Sequence, residues 1–417
     1  MTLVTYTSSA ARKNSQIKIL TITLILFFIL NPAFDLISTL LSTPLESSNR
    51  LSLLSRGVFT LIVSTFALTI ALQKQRSFLL VLLPVLFTTL SIFSWYFLGF
   101  YEESVAFETV NVAFKAFSFF FFCIAFKYLF KNGGHIESIE LIVKLSFLAY
   151  TTAIILGPVL GIDSFKSYGE VRFGYKGIIL AQNEASALLL VGLLLFGYKI
   201  VIGSSNKLDS IGIIFAVTAA FIIGTKAAFI LPISILTIIL ISKNGIVKSS
   251  PFILLTLAAF PITIYSLTLV SSNVQDVLDS TTQYLTYQLS NYANNSIFTL
   301  LLSGRDDKLI YALNNIVEQN PFYLVLGGYP LGFYSIELDF FDLSLLFGIP
   351  AFLIYLLNLK NEFLKNKKGI TLRYYTLAFI LVIAVSNSAG HLLTSALALP
   401  YLAFFCVYGS VNNQKNR

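Results

Sequence analysis

The fold class of this chain is set by residues 17–41, which read IKILTITLILFFILNPAFDLISTLL. A helix that crosses a bilayer needs roughly 20 mostly apolar residues, and this stretch exceeds that length. It is also longer than the apolar part of a signal peptide, and Asn31-Pro32 within it is not a small-residue cleavage site. We therefore expect residues 17–41 to remain in the protein as a membrane-spanning helix.

Similar apolar stretches recur along the whole chain, which is 56% hydrophobic and 12% charged, with a mean hydropathy of +0.81. A soluble globular protein would carry about 25% charged residues, so that class is excluded. The sequence predicts an all-α polytopic membrane protein, a single integral membrane domain over residues 1–417. We predict about twelve transmembrane helices, at 17–41, 54–72, 77–100, 108–130, 139–160, 177–201, 209–224, 227–242, 251–271, 336–359, 371–388 and 391–410.

Lysine and arginine are distributed unevenly between these stretches. With twelve spans both termini lie on one face, and that face carries most of the 28 basic residues. The positive-inside rule makes this face cytoplasmic. The exceptions are Arg50, Arg56, Lys115, Lys166, Arg172, Lys176, Lys226, Arg305 and Lys308.

A long outside loop is predicted at 271–335, between the ninth and tenth spans, and long structured loops usually carry function. Ser303-Gly304-Arg305-Asp306 fits a capping box with Ser303 as the N-cap, so a helix should begin there and stop before Pro321. A second helix is predicted from Thr281 to Asn291. The apolar face of the first helix would carry Leu309, Ile310, Leu313, Ile316 and Val317.

Four cations outside the predicted cytoplasmic face are candidate ligands for an anion: Arg172, Lys176, Lys226 and Arg305. Arg305 would occupy the first turn of its helix, where a cation is unfavourable and a bound phosphate would relieve the conflict. The alternative is pairing of Arg305 with Asp306 or Asp307. For the other three cations the alternative is snorkelling to water. Together the four would form an electropositive cavity that suits a diphosphate.

Candidate proton acceptors follow the long loop. Glu337, Asp339 and Asp342 enter an apolar stretch, and as a continuous helix they would not share one face, so a carboxylate metal cluster is weakly supported. Glu337 is one candidate general base, with the alternative that all three carboxylates only solvate the helix start. His391, which follows Gly390, is the other candidate, although a lone histidine is more often structural. Two histidines in total exclude a multi-histidine metal site.

Several short motifs taken together resemble the Wzy-type O-antigen and exopolysaccharide polymerases, relatives of the O-antigen ligases. The resemblance extends from about Arg172 to His391, and the combination of motifs rather than any single one carries it. The motifs are Lys176-Gly177, Asn183-Glu184-Ala185-Ser186, Gly224-Thr225-Lys226, Ser303-Gly304-Arg305, Gly327-Gly328-Tyr329, the run Glu337 to Asp342 with Phe347-Gly348, and Gly390-His391.

The resemblance implies a GT-C-like, metal-independent glycosyltransferase in the bacterial cytoplasmic (inner) membrane, with no cofactor and an active site facing outward. Donor and acceptor would both be undecaprenyl-diphosphate-linked oligosaccharides, a chain-length regulator protein would be a further partner, and nucleic acid would not be bound. By this similarity Arg172 and Arg305 would hold the diphosphate, with Lys176 and Lys226 beside them. Glu337 or His391 would accept the proton of the attacking hydroxyl.

The chain departs from the ligase pattern at one place. Ligases carry a His-Asn pair where the helix follows the long loop, and here that place reads Glu337-Leu338. The departure favours a polymerase over a ligase and leaves the base open between Glu337 and His391. A lipid-linked oligosaccharide flippase is the alternative from another class, because it too would be a basic protein with many spans.

Overall fold

A computed structural model gives the architecture of the chain. It describes residues 2–41, 51–74, 79–167, 174–270, 302–388 and 390–415, with the isolated positions 279, 282, 283, 286, 290 and 299. The structure is 82% helical, and over the described ranges it contains no strand beyond an isolated bridge between Lys166 and Tyr175. The predicted all-α class is therefore confirmed.

The helices follow one another with short connections. A 3-10 turn covers Asp163–Phe165, and a π-helical turn covers Leu313–Val317. The α-helices are α1 (Thr2–Leu41), α2 (Leu51–Lys74), α3 (Leu79–Phe97), α4 (Glu103–Lys131), α5 (Ile136–Leu160), α6 (Gln182–Val201), α7 (Lys207–Ile223), α8 (Lys226–Asn244), α9 (Ile246–Val270), α10 (Arg305–Ala312), α11 (Tyr323–Leu326), α12 (Asp339–Phe347), α13 (Ile349–Leu364), α14 (Gly369–Ser388) and α15 (Ala398–Lys415).

Seven helices in the described part of the chain are long and apolar enough to cross a membrane. They establish a polytopic membrane protein, while the count of twelve crossings stays a prediction. The seven are Asn14–Leu41, Leu51–Leu72, Glu103–Lys131, Ile136–Leu160, Gln182–Val201, Lys226–Asn244 and Gly369–Ser388, and shorter apolar helices occur at Pro84–Phe97, Ile246–Ala258 and Ala398–Val411.

Two of the predicted spans differ from the helices that form. The predicted span 336–359 is two helices, because Gly348 has a φ of +77° and breaks the chain between α12 and α13. A Cβ at Gly348 would collide with the carbonyl oxygen of Val325, so only glycine fits this approach. In the predicted span 391–410 the helix starts only at Ala398.

The long loop also corrects the sequence-based interpretation. The helix starts at Arg305 with Gly304 as its N-cap and no side-chain cap, so the capping box of Ser303 and Asp306 was wrong. Asp306 instead accepts a hydrogen bond from Thr299 at 2.6 Å. The helix changes from α to π geometry after Ala312, and two residues of the predicted apolar face, Ile310 and Leu313, are exposed. The predicted helix from Thr281 to Asn291 lies mostly outside the described residues.

The interior of the bundle is organised around α6, which packs against α7, α8, α14 and α15. Almost all of α6 is buried, and small residues along it admit large neighbours; a Cβ on Gly192, for example, would overlap the ring of Phe147. Peripheral helices instead expose large apolar side chains such as Leu61 and Leu72. Contiguous exposed apolar surface of this kind suits contact with lipid.

Charged side chains inside the bundle are paired across helices. Arg56 of α2 forms an ion pair with Asp35 of α1, and both side chains are 1% exposed. Tyr150 donates a hydrogen bond to the same Asp35 carboxylate at 2.6 Å. Arg56, expected from the sequence in an outer segment, is therefore an interhelical contact, and its removal would leave Asp35 as an uncompensated buried charge.

A second buried network joins α5, α6, α7 and α15. Lys144 lies 2.5 Å from both Glu140 and Asp209, and Lys199 lies 3.0 Å from Glu140 and donates to the Tyr408 hydroxyl at 2.8 Å. Lys144 and Lys199 come from the face predicted to be cytoplasmic. Their charges are nevertheless used inside the protein rather than on its surface.

Candidate functional site

The turn between α7 and α8 introduces the first cation of the site. Gly224 ends α7 in the left-handed conformation, and Thr225 caps α8 by accepting a hydrogen bond from the Ala228 amide at 3.0 Å. The Thr225 hydroxyl also contacts the Ser186 hydroxyl of α6 at 2.9 Å. Lys226 therefore projects from the first residue of α8, at what we call the site end of the bundle.

The start of α10 lies against this turn. Lys226 Nζ donates to Ser303 Oγ at 3.2 Å, which connects α8 with the segment that leads into α10. Arg305 and Lys308, three positions apart, lie on neighbouring turns of α10 and both contact the same carboxylate. Three cations from two parts of the chain therefore meet at the site end.

Glu337 is the carboxylate that Arg305 and Lys308 share. Lys308 Nζ lies 2.5 Å from Glu337 Oε1, and Arg305 Nε lies 3.3 Å from Glu337 Oε2. Arg305 also donates to the backbone carbonyl of Ser388 at 2.6 Å, at the C-terminus of α14, where a cation is favourable. The unfavourable position of the Arg305 charge in the first turn of its helix is thus compensated by its contacts with Glu337 and Ser388. Pairing of Arg305 with Asp306 or Asp307 is not what the structure contains.

Asp342 fixes the backbone that carries Glu337. Its carboxylate accepts hydrogen bonds from the backbone amides of Ile336 and Glu337 at 2.9 and 3.0 Å and from the Ser335 hydroxyl at 3.0 Å. Asp342 is 4% exposed, so these amides would otherwise lack water as a partner. The carboxylate holds Glu337 in a left-handed conformation with a φ of +65°.

Asp339 fixes the backbone of the segment that carries His391. Its two carboxylate oxygens accept the backbone amides of His391 and Leu393, each at 2.8 Å, and Asp339 is 1% exposed. The carbonyl oxygen of Glu337 lies where a Cβ on Gly390 would be, so the 335–338 and 390–393 segments touch through their backbones. Glu337 and His391 are therefore brought together by two buried aspartates.

Three residues of the site have strained backbones. Ser303, Glu337 and His391 all have positive φ angles, +57°, +65° and +60°. Such conformations are uncommon for residues with a Cβ and are retained where the surroundings enforce them, often at functional sites. Their coincidence in one cluster marks this end of the bundle as the candidate site.

The two candidate bases differ in their electrostatic environment. Burial favours the neutral acid of Glu337, but the hydrogen bond from Lys308 and the charges of Lys308 and Arg305 outweigh it, so the pKa of Glu337 lies below its ordinary value. Burial lowers the pKa of the His391 imidazole below 6.5; the Glu337 carboxylate opposes this shift and Arg305 adds to it. At neutral pH the site therefore holds an ionised, cation-bound glutamate beside a neutral imidazole.

Charged side chains buried inside the bundle are connected to the segment that follows His391. The Ser395 hydroxyl donates to Glu184 Oε1 at 3.0 Å and accepts the Ala398 amide at 3.1 Å, at the start of α15. The second oxygen of Glu184 lies 3.7 Å from Arg56 NH1. The segment after His391 is thus tied through Glu184 to the Arg56 and Asp35 pair inside the bundle.

The remaining predicted cations have separate outcomes. Lys176 lies on a segment whose backbone is bonded to the end of α7, since the Tyr175 amide donates to Ile222 O at 3.0 Å, and its Nζ donates to Leu180 O at 3.0 Å. Lys176 is therefore at the same end of the bundle as Lys226. Arg172 lies outside the described residues, so its shared cavity with Arg305 stays a prediction.

Some functional positions were not found by sequence reasoning. The sequence identifies Lys308 only as an exception to the charge pattern, and Asp339 and Asp342 only as solvating groups or members of a weakly supported metal cluster. The three-residue spacing of Arg305 and Lys308 on one predicted helix was an available signal. No comparable signal existed for the aspartates, because they were assigned to a continuous helix in which backbone amides need no side-chain partner.

Known proteins add no further assignment: compared with protein families, curated proteins and solved structures, the chain matches none. Within the described ranges, no group of three or more His, Cys, Asp or Glu side chains is arranged to hold a metal ion.

We predict that Asp339→Ala lowers the free energy of unfolding by about 2 kcal/mol or more, because it leaves two buried amides without an acceptor. Thermal unfolding of the purified protein in detergent measures the effect. Asp307→Ala is the matched control, since Asp307 is an exposed acidic residue on α10 and its loss should change stability by no more than about 0.5 kcal/mol. Equal stability of the two variants would contradict the role given to Asp339.

We also predict that His391 becomes protonated only below pH 6.5, and that Glu337→Gln shifts its titration to still lower pH by removing a negative charge that stabilises the imidazolium. Diethylpyrocarbonate modifies neutral imidazole, so its rate of reaction at His391, followed by peptide mass spectrometry against pH, measures this pKa. A His135→Gln background leaves His391 as the only histidine. A midpoint above pH 6.5, or one moved upward by Glu337→Gln, would show that the electrostatics are misassigned.

Proposed function

We propose that the protein is a membrane glycosyltransferase that polymerises undecaprenyl-diphosphate-linked oligosaccharide repeats into O-antigen or a related surface polysaccharide. The observation that carries the proposal is the pairing of Arg305 and Lys308 with Glu337, near Lys226 and His391, at one end of a bundle of apolar helices. Arg305 and Lys308 share one carboxylate there, and Lys226 adds a third cation that contacts Ser303. A lipid diphosphate has the matching charge and is delivered by the membrane.

The cations would act on the leaving group. Negative charge grows on the diphosphate as the bond to the sugar breaks, and preorganised cations at low dielectric stabilise such charge strongly. Arg305 is suited to this because a guanidinium can bind phosphate oxygens with two parallel hydrogen bonds. Before substrate binds, Glu337 would keep Arg305 and Lys308 in place and limit their mutual repulsion.

His391 is the better of the two candidate bases. A general base works best when its pKa is near the working pH, and a histidine with a lowered pKa is neutral at that pH and able to accept a proton. Glu337, with a lowered pKa and two cations on its carboxylate, is a weaker proton acceptor. We therefore assign proton transfer to His391 and the positioning of the cations to Glu337.

The proposed reaction is a displacement at the anomeric carbon of the donor. The acceptor hydroxyl oxygen forms a bond to this carbon, and the bond from the carbon to the diphosphate oxygen breaks. The diphosphate leaves with the bonding electron pair, and the hydroxyl proton passes to the imidazole of His391. Arg172 and Lys176 would extend the diphosphate site, and a chain-length regulator would be the protein partner.

Two other activities use related substrates. A ligase would transfer a completed polymer to a lipid core, and a flippase would move the lipid-linked unit without forming a glycosidic bond. Surface glycan from a deletion strain distinguishes the three, because a lipid core capped by a single repeat indicates a lost polymerase and unattached polymer indicates a lost ligase. Lengthening of lipid-linked repeats by the purified protein without a transmembrane gradient excludes a flippase.

We predict that Arg305→Ala lowers polymer formation by about a hundredfold or more, the usual effect of removing one donor that stabilises transition-state charge. The measurement is glycan chain length in a complemented deletion strain, with membrane insertion checked by immunoblot. Arg373→Ala is the control, since Arg373 is exposed near the start of α14, far from the site end. Normal chain length with Arg305→Ala would remove the proposed role of Arg305.

For the base we predict that His391→Gln abolishes polymerisation of lipid-linked repeats by the reconstituted protein, whereas Glu337→Gln retains partial activity. Wild-type activity should fall as the pH drops through the lowered pKa of His391, and Glu337→Gln should move this acidic limb to lower pH. Substantial activity of His391→Gln with an unchanged acidic limb would refute His391 as the base, and loss of activity only in Glu337→Gln would transfer that role to Glu337.

A further inference from the structure

A second group of cations lies at the opposite end of the bundle from the candidate site. α14 runs from Gly369 to Ser388, which at 1.5 Å per residue is about 29 Å, close to the thickness of a bilayer core. Ser388 contacts Arg305 at the site end, so the segment just before Gly369 lies on the other side of the membrane. This second group therefore faces the headgroups of the other leaflet.

A cavity of about 310 Å³ occurs there between α4, α13 and α15. We call it the lysine pocket; Lys127, Lys131, Lys365 and Ser410 line its polar side, and Phe130 and Val407 are among its apolar walls. Lys127 pairs with Glu362 at 2.5 Å. In the part of the chain that the structure describes, Lys131 and Lys365 have no carboxylate partner, and both are exposed.

A buried lysine behind the pocket has no carboxylate at ion-pair distance among the described residues. Lys367 is 4% exposed and donates to the Ser410 hydroxyl at 3.1 Å and to the Glu362 carbonyl at 3.0 Å. Its ammonium lies 4.3 Å from the centre of the Tyr375 ring. No carboxylate of the described residues lies within ion-pair distance of Lys367, and the more distant Glu362 carboxylate only partly offsets the cost of burying this charge. Burial lowers the pKa of Lys367 to about 8, so it remains mostly charged at neutral pH.

The pocket therefore combines three ammonium groups, one carboxylate and an apolar wall at the level of the headgroups, with the ammonium of Lys367 behind it. Basic pockets between transmembrane helices bind the phosphates of anionic lipids. We propose that the lysine pocket binds a phosphate anion, supplied by an anionic phospholipid whose headgroup meets Lys131 and Lys365 while its glycerol and first methylenes contact Phe130 and Val407. The bound phosphate would place a negative charge beside Ser410, whose hydroxyl contacts Lys367, and would so help to compensate the charge of Lys367.

The experiment is native mass spectrometry of the full-length protein in detergent with phosphatidylglycerol, with zwitterionic phosphatidylcholine and with inorganic phosphate. We expect phosphatidylglycerol to be retained in preference to phosphatidylcholine. The double variant Lys131→Gln/Lys365→Gln should weaken phosphatidylglycerol binding by about tenfold or more, since each basic residue near a membrane surface adds to the binding of anionic lipid. The matched control is Lys243→Gln/Lys248→Gln, two exposed lysines at the same end of the bundle.

Equal retention of phosphatidylglycerol by the two double variants would overturn the proposal. Displacement of the lipid by millimolar inorganic phosphate would support the anion site but assign it to free phosphate rather than to lipid. A second readout is thermal unfolding: phosphatidylglycerol should stabilise the wild-type protein but not Lys367→Met, and equal stabilisation of both would contradict the role of Lys367. Neither readout depends on the glycosyltransferase activity proposed above.

Discussion

The candidate site depends on the need of buried backbone amides for acceptors. The segments 335–338 and 390–393 leave helical geometry inside an apolar body, where unpaired amides are costly. Asp342 accepts the amides of Ile336 and Glu337, and Asp339 accepts those of His391 and Leu393. Because both aspartates belong to α12, one short helix fixes both irregular segments relative to each other.

This constraint gives three neighbouring carboxylates two different roles. Asp339 and Asp342 are buried and bind backbone, whereas Glu337 is partly exposed and binds side-chain cations. The difference follows from conformation: the left-handed backbone of Glu337 places it outside the helix that begins at Asp339. A mechanism that needs a cation cluster and a nearby neutral imidazole can use this arrangement, since the charges are held before any substrate arrives.

The pairing of charged side chains differs between the interior and the two ends of the bundle. Interior ions are compensated across helices, as in the pairs of Arg56 with Asp35 and of Lys144 with Asp209. At the site end two cations share the Glu337 carboxylate, and three lysines and one glutamate line the lysine pocket. The positive-inside rule explains an excess of lysine at only one end of the bundle. The cations at Glu337 and the buried charge of Lys367 must therefore be explained by their local contacts.

The sequence alone determined the membrane class, the all-helical fold and most helix positions, because apolar length and loop charge are local properties that survive folding. It also indicated Lys226, Arg305, Glu337 and His391, residues that break the local pattern. It did not determine the break at Gly348, the N-cap at Gly304, or the tasks of Asp339 and Asp342. Those depend on contacts between segments as distant as residues 339 and 391, and a carboxylate becomes a backbone acceptor only when the fold delivers unpaired amides to it.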